Sequence, residues 1–107
     1  MEWSGTTTDG YVTVFDIDVT GIFTFAIYNS GLSNSIKYQI YVTSLWGDTI
    51  SSLDNVLTAD THIAYDDEDF SASGVPTEAP PFNHLKVEVK SAGAGFASTY
   101  SIKGAFS

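Results

Sequence analysis

The residues whose types could do chemistry are few. Asp66-Asp67-Glu68-Asp69 is the densest charge cluster in the chain. Hard carboxylate oxygens on a loop suit Ca²⁺. The spaced acids, central glycine and distant glutamate of an EF-hand loop are missing, and adjacent acids point in diverging directions. That mismatch favours a solvated or subunit-facing acidic loop. Asp66, Asp67 and Asp69 stand as the metal candidates, and calcium is the cofactor they would take. Asp16 and Asp18 share one face of an alternating segment, about 7 Å apart by strand geometry. Carboxylate pairs at such separations serve glycosidases. Alternating Asp on the wet face of an outer strand also discourages edge pairing, and that role is the expected one. His62 and His84 are the two imidazoles. They match no metal-ligand spacing and no Gly-x-Ser-x-Gly elbow accompanies them, so a structural role is expected. Ser91-Ala92-Gly93-Ala94-Gly95 lacks the Lys-Ser/Thr ending of a phosphate loop and precedes a strand pattern, so it reads as a hairpin turn. Without a nucleophile, base and orienting group, the chain is expected not to be an enzyme.

Aromatic residues are the other resource, at 14 % of the chain. Trp3, Trp46 (beside the turn Gly47-Asp48), Tyr41 (out of its strand's inward phase) and the stiff Pro80-Pro81-Phe82 are interface candidates, because Tyr and Trp are enriched at protein contacts. The alternative uses Trp46, Tyr41, Asp48 and the acidic loop to stack on and hydrogen-bond sugars, giving a carbohydrate-binding β-sandwich module, with calcium assisting.

These side chains must be positioned by strands. Period-2 alternation of apolar residues recurs along the chain, and sustained 3.6-residue periodicity does not. Tyr11, Thr13, Phe15, Ile17 and Val19 face one way along 11–20; Phe23, Phe25 and Ile27 do so along 22–28. Ile36, Tyr38, Ile40 and Val42 oppose Lys37, Gln39 and Thr43. Leu85, Val87 and Val89 oppose Lys86, Glu88 and Lys90, and Tyr100, Ile102 and Phe106 oppose Thr99, Ser101 and Lys103. Two further strand candidates cover 49–53 and 59–65. Thr20-Gly21, Asn29–Asn34 and Ser91–Gly95 read as hairpin connections between antiparallel neighbours. Short strands with one apolar face each predict an all-β fold, an antiparallel β-sandwich or jelly roll of about 7–8 strands. Residues 1–107 form one domain in this reading, with an N-terminal arm at 1–10 and a long acidic, proline-rich loop at 66–83.

Composition sets the outer bounds. Asp+Glu number 13 against Lys+Arg 4, a net charge of −9. That excludes a reader of phosphate backbones and argues against anionic membranes, so neither nucleic acid nor membrane is expected as partner. Cys is 0, which excludes disulfides and thiolate chemistry. No basic, apolar leader follows Met1, and no apolar run approaches the ~20 residues a bilayer needs.

Two blocks together resemble a known group: Phe23–Gly31 followed by Asn34–Tyr41, and His84–Ser91 followed by 93–104. They are similar to the small β-sandwich accessory proteins of tailed-virus virions, which decorate heads, connect head to tail or build tails. The resemblance covers roughly half the chain. It implies a bacteriophage structural protein, without catalytic residues, that forms a homo-oligomer and joins other virion shell proteins. It also implies localisation in the virion after assembly in the host cytoplasm. The N-terminal arm would add to a neighbour's sheet, and the proline loop would dock with little ordering cost.

Overall fold

A computed structural model describes residues 1–19, 23–43, 49–70 and 84–106. Eight strands follow in order: β1 (Glu2–Thr6), β2 (Val12–Asp18), β3 (Phe23–Asn29), β4 (Ile36–Thr43), β5 (Thr49–Leu57), β6 (Thr61–Asp66), β7 (His84–Ser91) and β8 (Thr99–Phe106). A 3₁₀ turn, Asp67–Phe70, follows β6. The alternation that builds these strands is visible in their burial. β4 alternates buried and half-buried residues along its whole length, as does β7.

The strands form two four-stranded sheets, β1-β8-β3-β6 and β2-β7-β4-β5, with every pairing antiparallel. First pairs with eighth, second with seventh, third with sixth and fourth with fifth. The chain behaves as one long antiparallel ribbon, wrapped so that β8 also meets β3 and β7 also meets β4. This is the jelly-roll arrangement of a β-sandwich.

The wrapping corrects two expectations. The segments after β3 and β7 are expected to be hairpins, yet each joins strands in different sheets. They are corners; β4 and β5 are the consecutive strands that pair. Thr20-Gly21, between β2 and β3 of different sheets, lies outside the described residues. Tight turn chemistry reverses the chain at a corner as well as in a hairpin, so local sequence does not separate the two. Second, residues 2–6 are not a projecting arm: they form β1, in register with β8 from Glu2↔Lys103 to Thr6↔Thr99. The pairing buries part of Trp3, whose ring stacks on Phe15 at 4.3 Å.

The inward faces close on Phe15, Phe25, Ile27, Ile36, Tyr38, Ile40, Leu85, Val87 and Ile102. An aromatic chain runs through this core from Trp3 by Phe15, Phe25 and Tyr65 to Phe70. Tyr38 on β4 and Tyr65 on β6 hydrogen-bond through their hydroxyls at 2.5 Å, tying the sheets together. In β2 the register shifts between Thr13 and Phe15. Beyond this bulge the expected phase holds, with Phe15 and Val19 buried. Before it the phase slips: Thr13 is exposed and its Oγ1 reaches Glu88 Oε2 at 3.5 Å, while Val14 packs against the core. An extra residue in one strand reverses the facing of what precedes it.

One end of the sandwich is pinned by a buried polar cluster. Asn29, 0 % exposed, donates from Nδ2 to Asn34 O (2.8 Å) and Leu57 O (3.1 Å). Its Oδ1 accepts from Gly31 N (3.2 Å) and Ser98 Oγ (2.7 Å). Ser98 N in turn donates to Thr7 Oγ1, which bonds the Ser91 hydroxyl. The corners after β1, β3 and β7 and the end of β5 are thereby joined through one fully satisfied amide. A Cβ at Gly31 would run into the Ser98 hydroxyl and push it off Asn29 Oδ1.

Candidate functional site

No charged or nucleophilic cluster is assembled among the described residues into a catalytic group set. His62 lies on β6 and His84 on β7, in different sheets, so the imidazoles do not converge. His84 Nδ1 lies 3.0 Å from Asp18 Oδ1 and 3.6 Å from Asp16 Oδ1 on the neighbouring strand. Asp16 and Asp18 are exposed on β2, at the edge of their sheet.

The acidic cluster is turn chemistry. Asp66 Oδ1 accepts from the backbone N of Glu68 (3.0 Å) and Asp69 (3.3 Å), and Asp69 Oδ2 accepts from Asp66 N at 2.8 Å. Asp67 Oδ1 accepts from Phe23 N at 3.4 Å. These carboxylates cap a 3₁₀ turn and fasten it to β3, as short acids do at free N–H groups. Asp66, Asp67 and Asp69 therefore serve different backbone donors, and no group of three or more His, Cys, Asp or Glu among the described residues is placed to hold a metal ion.

Of the interface candidates, Trp3 turns inward onto Phe15 and Phe106. Tyr41 lies on the outer face of β4, half-buried, with Lys86 Nζ 4.9 Å above its ring and its hydroxyl donating to Gln39 Oε1 at 2.7 Å. Trp46 and Asp48, like Pro80, Pro81 and Phe82, lie outside the described residues, as does most of the expected 66–83 loop.

What the sequence did not reveal is how differently the sheet edges are finished. An edge strand presents free N–H and C=O groups that template pairing with another chain. Three edges carry devices that blunt this. β6 runs into the 3₁₀ turn, and its Asp66 N is taken by Asp69. On β5, Asn55 Oδ1 accepts from Val56 N at 2.8 Å. β2 carries the bulge and the exposed Asp16 and Asp18. Among the described residues β1 shows no bulge, terminal turn or side-chain clamp on its backbone, and its one acid is Glu2. Met1 and Gly104 exchange backbone bonds (2.9 and 3.0 Å), and Thr7 N donates to Ser98 O at 2.8 Å. Ladder alternation then turns the groups of Trp3 and Gly5 toward β8 and those of Glu2, Ser4 and Thr6 toward the open side. Sequence carried a trace of this: Glu2–Thr6 holds one charge and no proline.

A second feature lies on the outer face of the β1-β8-β3-β6 sheet. Tyr28 is paired with His62 on one side and Ser101 on the other. The next row across the strands is Ala64, Ala26, Lys103 and Glu2. Ala64, Ala26 and, one row on, Ala105 stand low beside Tyr28, Lys103 and Glu2 and leave a trough, with a groove of about 620 Å³ beside Tyr28 and one of about 570 Å³ over Ala64 and Ala105. Tyr28 OH donates to Asp60 Oδ1 at 2.7 Å, and this bond, with the nearby negative charge, raises the phenol's pKa.

No protein-family model matches the chain, and no curated protein is similar to it. Solved structures are similar in fold. The VP2 subviral particle of infectious bursal disease virus matches at TM-score 0.51 and 20 % identity, over 96 % of this chain and 28 % of that one. The disulfide-linked pili of Bacillus endospore appendages match at TM-score 0.50 and 8 % identity, over 100 % of this chain and 83 % of that one. The chain thus spans little more than a quarter of the viral protein's length. At these identities the likeness shows a shared β-sandwich fold. These two neighbours are a viral capsid protein and a pilus, and they do not point to tailed viruses in particular. No helix among the described residues is long and apolar enough to cross a membrane.

Proposed function

We propose that the protein is a non-enzymatic structural subunit that self-assembles into a proteinaceous shell or appendage, with the open edge of β1 receiving a strand from a neighbouring copy. The single observation that carries this is the asymmetry of the edges: β2, β5 and β6 are each blunted, and nothing among the described residues takes the outward backbone groups of Glu2, Ser4 and Thr6. Strand addition at such an edge gives affinity through main-chain hydrogen bonds. An antiparallel β1–β1 contact is isologous and closes a two-fold dimer, whereas a strand from another part of the neighbouring copy gives a heterologous contact that builds rings or filaments. Kinship of fold with a capsid protein and a pilus supports the reading, and the jelly roll is a recurrent viral shell architecture. Within it, the finer assignment is a virion protein that decorates or joins a capsid or tail, assembled in the host cytoplasm. Its partners are further copies and other shell proteins, and no cofactor is needed.

Ser4→Pro tests the edge. Its N–H points away from β8, so proline removes a free donor without breaking an internal ladder bond. Light scattering after size exclusion, with electron microscopy, should show oligomers or filaments for the parent and monomers for Ser4→Pro, with the melting temperature within a few degrees. A parent that stays monomeric at high concentration, or a variant that assembles unchanged, refutes the proposal.

A further inference from the structure

We infer that the trough across the outer face of the β1-β8-β3-β6 sheet is a binding site for a neutral oligosaccharide, with the Tyr28 ring as its stacking platform. This does not depend on assembly through β1.

The argument begins with which tyrosine faces are free. Tyr41 carries Lys86 over its ring and Tyr11 carries Lys90 at 5.3 Å. Tyr38 and Tyr65 are core, and Tyr100 packs against it. Tyr28 is 38 % exposed, with no ring or cation against it among the described residues. Its hydroxyl is held by Asp60, so the ring is fixed before a ligand arrives and little rotamer freedom is lost on stacking. An apolar ring face beside polar groups suits a pyranose, which has a C–H face and a hydroxyl rim.

The surrounding groups supply that polar rim. His62 and Ser101 flank Tyr28 in register, and Asp60, Lys103 and Glu2 border the same groove. Donors and acceptors are both present, as hydroxyls require. Asp60 and Glu2 outweigh Lys103 in charge, in a molecule of net −9, which disfavours a polyanion. The shape selects a chain over a small compact ligand. The two grooves share Glu2, Ala26 and Lys103 and continue one another along β3 and β8, from Tyr28 and Ser101 to Thr24 and Ala105, so they form one elongated trough. An added β-strand needs the free backbone groups of a sheet edge, and the trough lies over β3 and β8, which are paired on both sides, so a peptide in strand form has no ladder to join here.

The test is amide NMR on the ¹⁵N-labelled protein, titrated with neutral gluco-, manno-, xylo- and chito-oligosaccharides. At least one series should shift the amides of Tyr28, His62 and Ser101 and leave Tyr41 unmoved. Tyr28→Ala, with its spectrum otherwise intact, should weaken that binding about tenfold or more. Ala26→Leu, which fills the trough floor, should weaken it without touching the platform, and Tyr41→Ala should bind as the parent does. The inference is overturned if no series shifts these amides, if binding survives Tyr28→Ala, or if the shifts centre on Tyr41. A negative titration in a protein that still assembles rejects the sugar site and leaves the structural role standing.

Discussion

Asn29→Ala is the perturbation that tests most of the fold at once. The side chain is fully buried and makes four hydrogen bonds, to Asn34 O, Leu57 O, Gly31 N and Ser98 Oγ. Each such bond contributes about 0.5–1.5 kcal/mol net, and a buried group left without its partner costs about 1–3 kcal/mol. Ser98 Oγ can turn elsewhere, whereas Leu57 O stays buried beside the missing amide. The expected loss is therefore about 3–5 kcal/mol. For a domain of this size that lowers the melting temperature by at least about 12 °C. Urea or thermal unfolding measures it, and hydrogen exchange should show the Gly31 and Ser98 amides losing protection together. Ser98→Ala removes one of the four bonds and should cost about 1 kcal/mol. The double variant should fall short of the sum by about 0.5–1.5 kcal/mol, because the two side chains share a bond. A loss below about 1 kcal/mol for Asn29→Ala would refute the claim that this amide holds the corners together.

Four further outcomes follow from other contacts of the fold. Tyr38→Phe strands the Tyr65 hydroxyl and should cost about 1–2 kcal/mol, while Tyr38→Phe with Tyr65→Phe should cost less than either single change, because no buried hydroxyl is left unpaired. Burial first, and then the bond to Tyr38, raise the Tyr65 pKa. Its contribution is therefore complete below the ordinary tyrosine value of about 10 and is lost as pH rises above it. Tyr65→Phe should flatten the alkaline fall in melting temperature, leaving the parts due to Tyr11, Tyr28 and Tyr100, whose pKa values are also raised. Asp69→Ala frees Asp66 N and should cost about 0.5–2 kcal/mol, as other cap removals do. Calcium should leave the parent's melting temperature unchanged, and a rise that disappears in Asp69→Ala would restore the metal reading of the acidic cluster.

The sequence by itself determined the class of the fold and most of its strands. Alternation is a local property: Ile36, Tyr38, Ile40 and Val42 are buried because successive side chains point to opposite faces of a strand. β3, β4, β7 and β8 were therefore legible almost to the residue, and the absence of helical periodicity made the fold all-β. The net charge of −9 and the lack of cysteine likewise need no structure. Tertiary structure decided the rest. Asn29, Gly31 and the Ser91–Gly95 stretch carry turn chemistry, but whether a turn closes a hairpin or crosses between sheets depends on where distant strands find burial. That is how β8 came to lie between β1 and β3. Trp3 reads as a surface aromatic until β1 is seen paired with β8 over Phe15. Asp66 and Asp69 read as loose acids until the 3₁₀ turn presents backbone N–H groups to them. The open edge of β1 and the trough beside Tyr28 are further removed from the sequence. An edge exists only once every strand has its place in a sheet. A trough exists only once register sets Ala26 beside Ala64, residues 38 positions apart by number, and leaves a gap where longer side chains stand on either side.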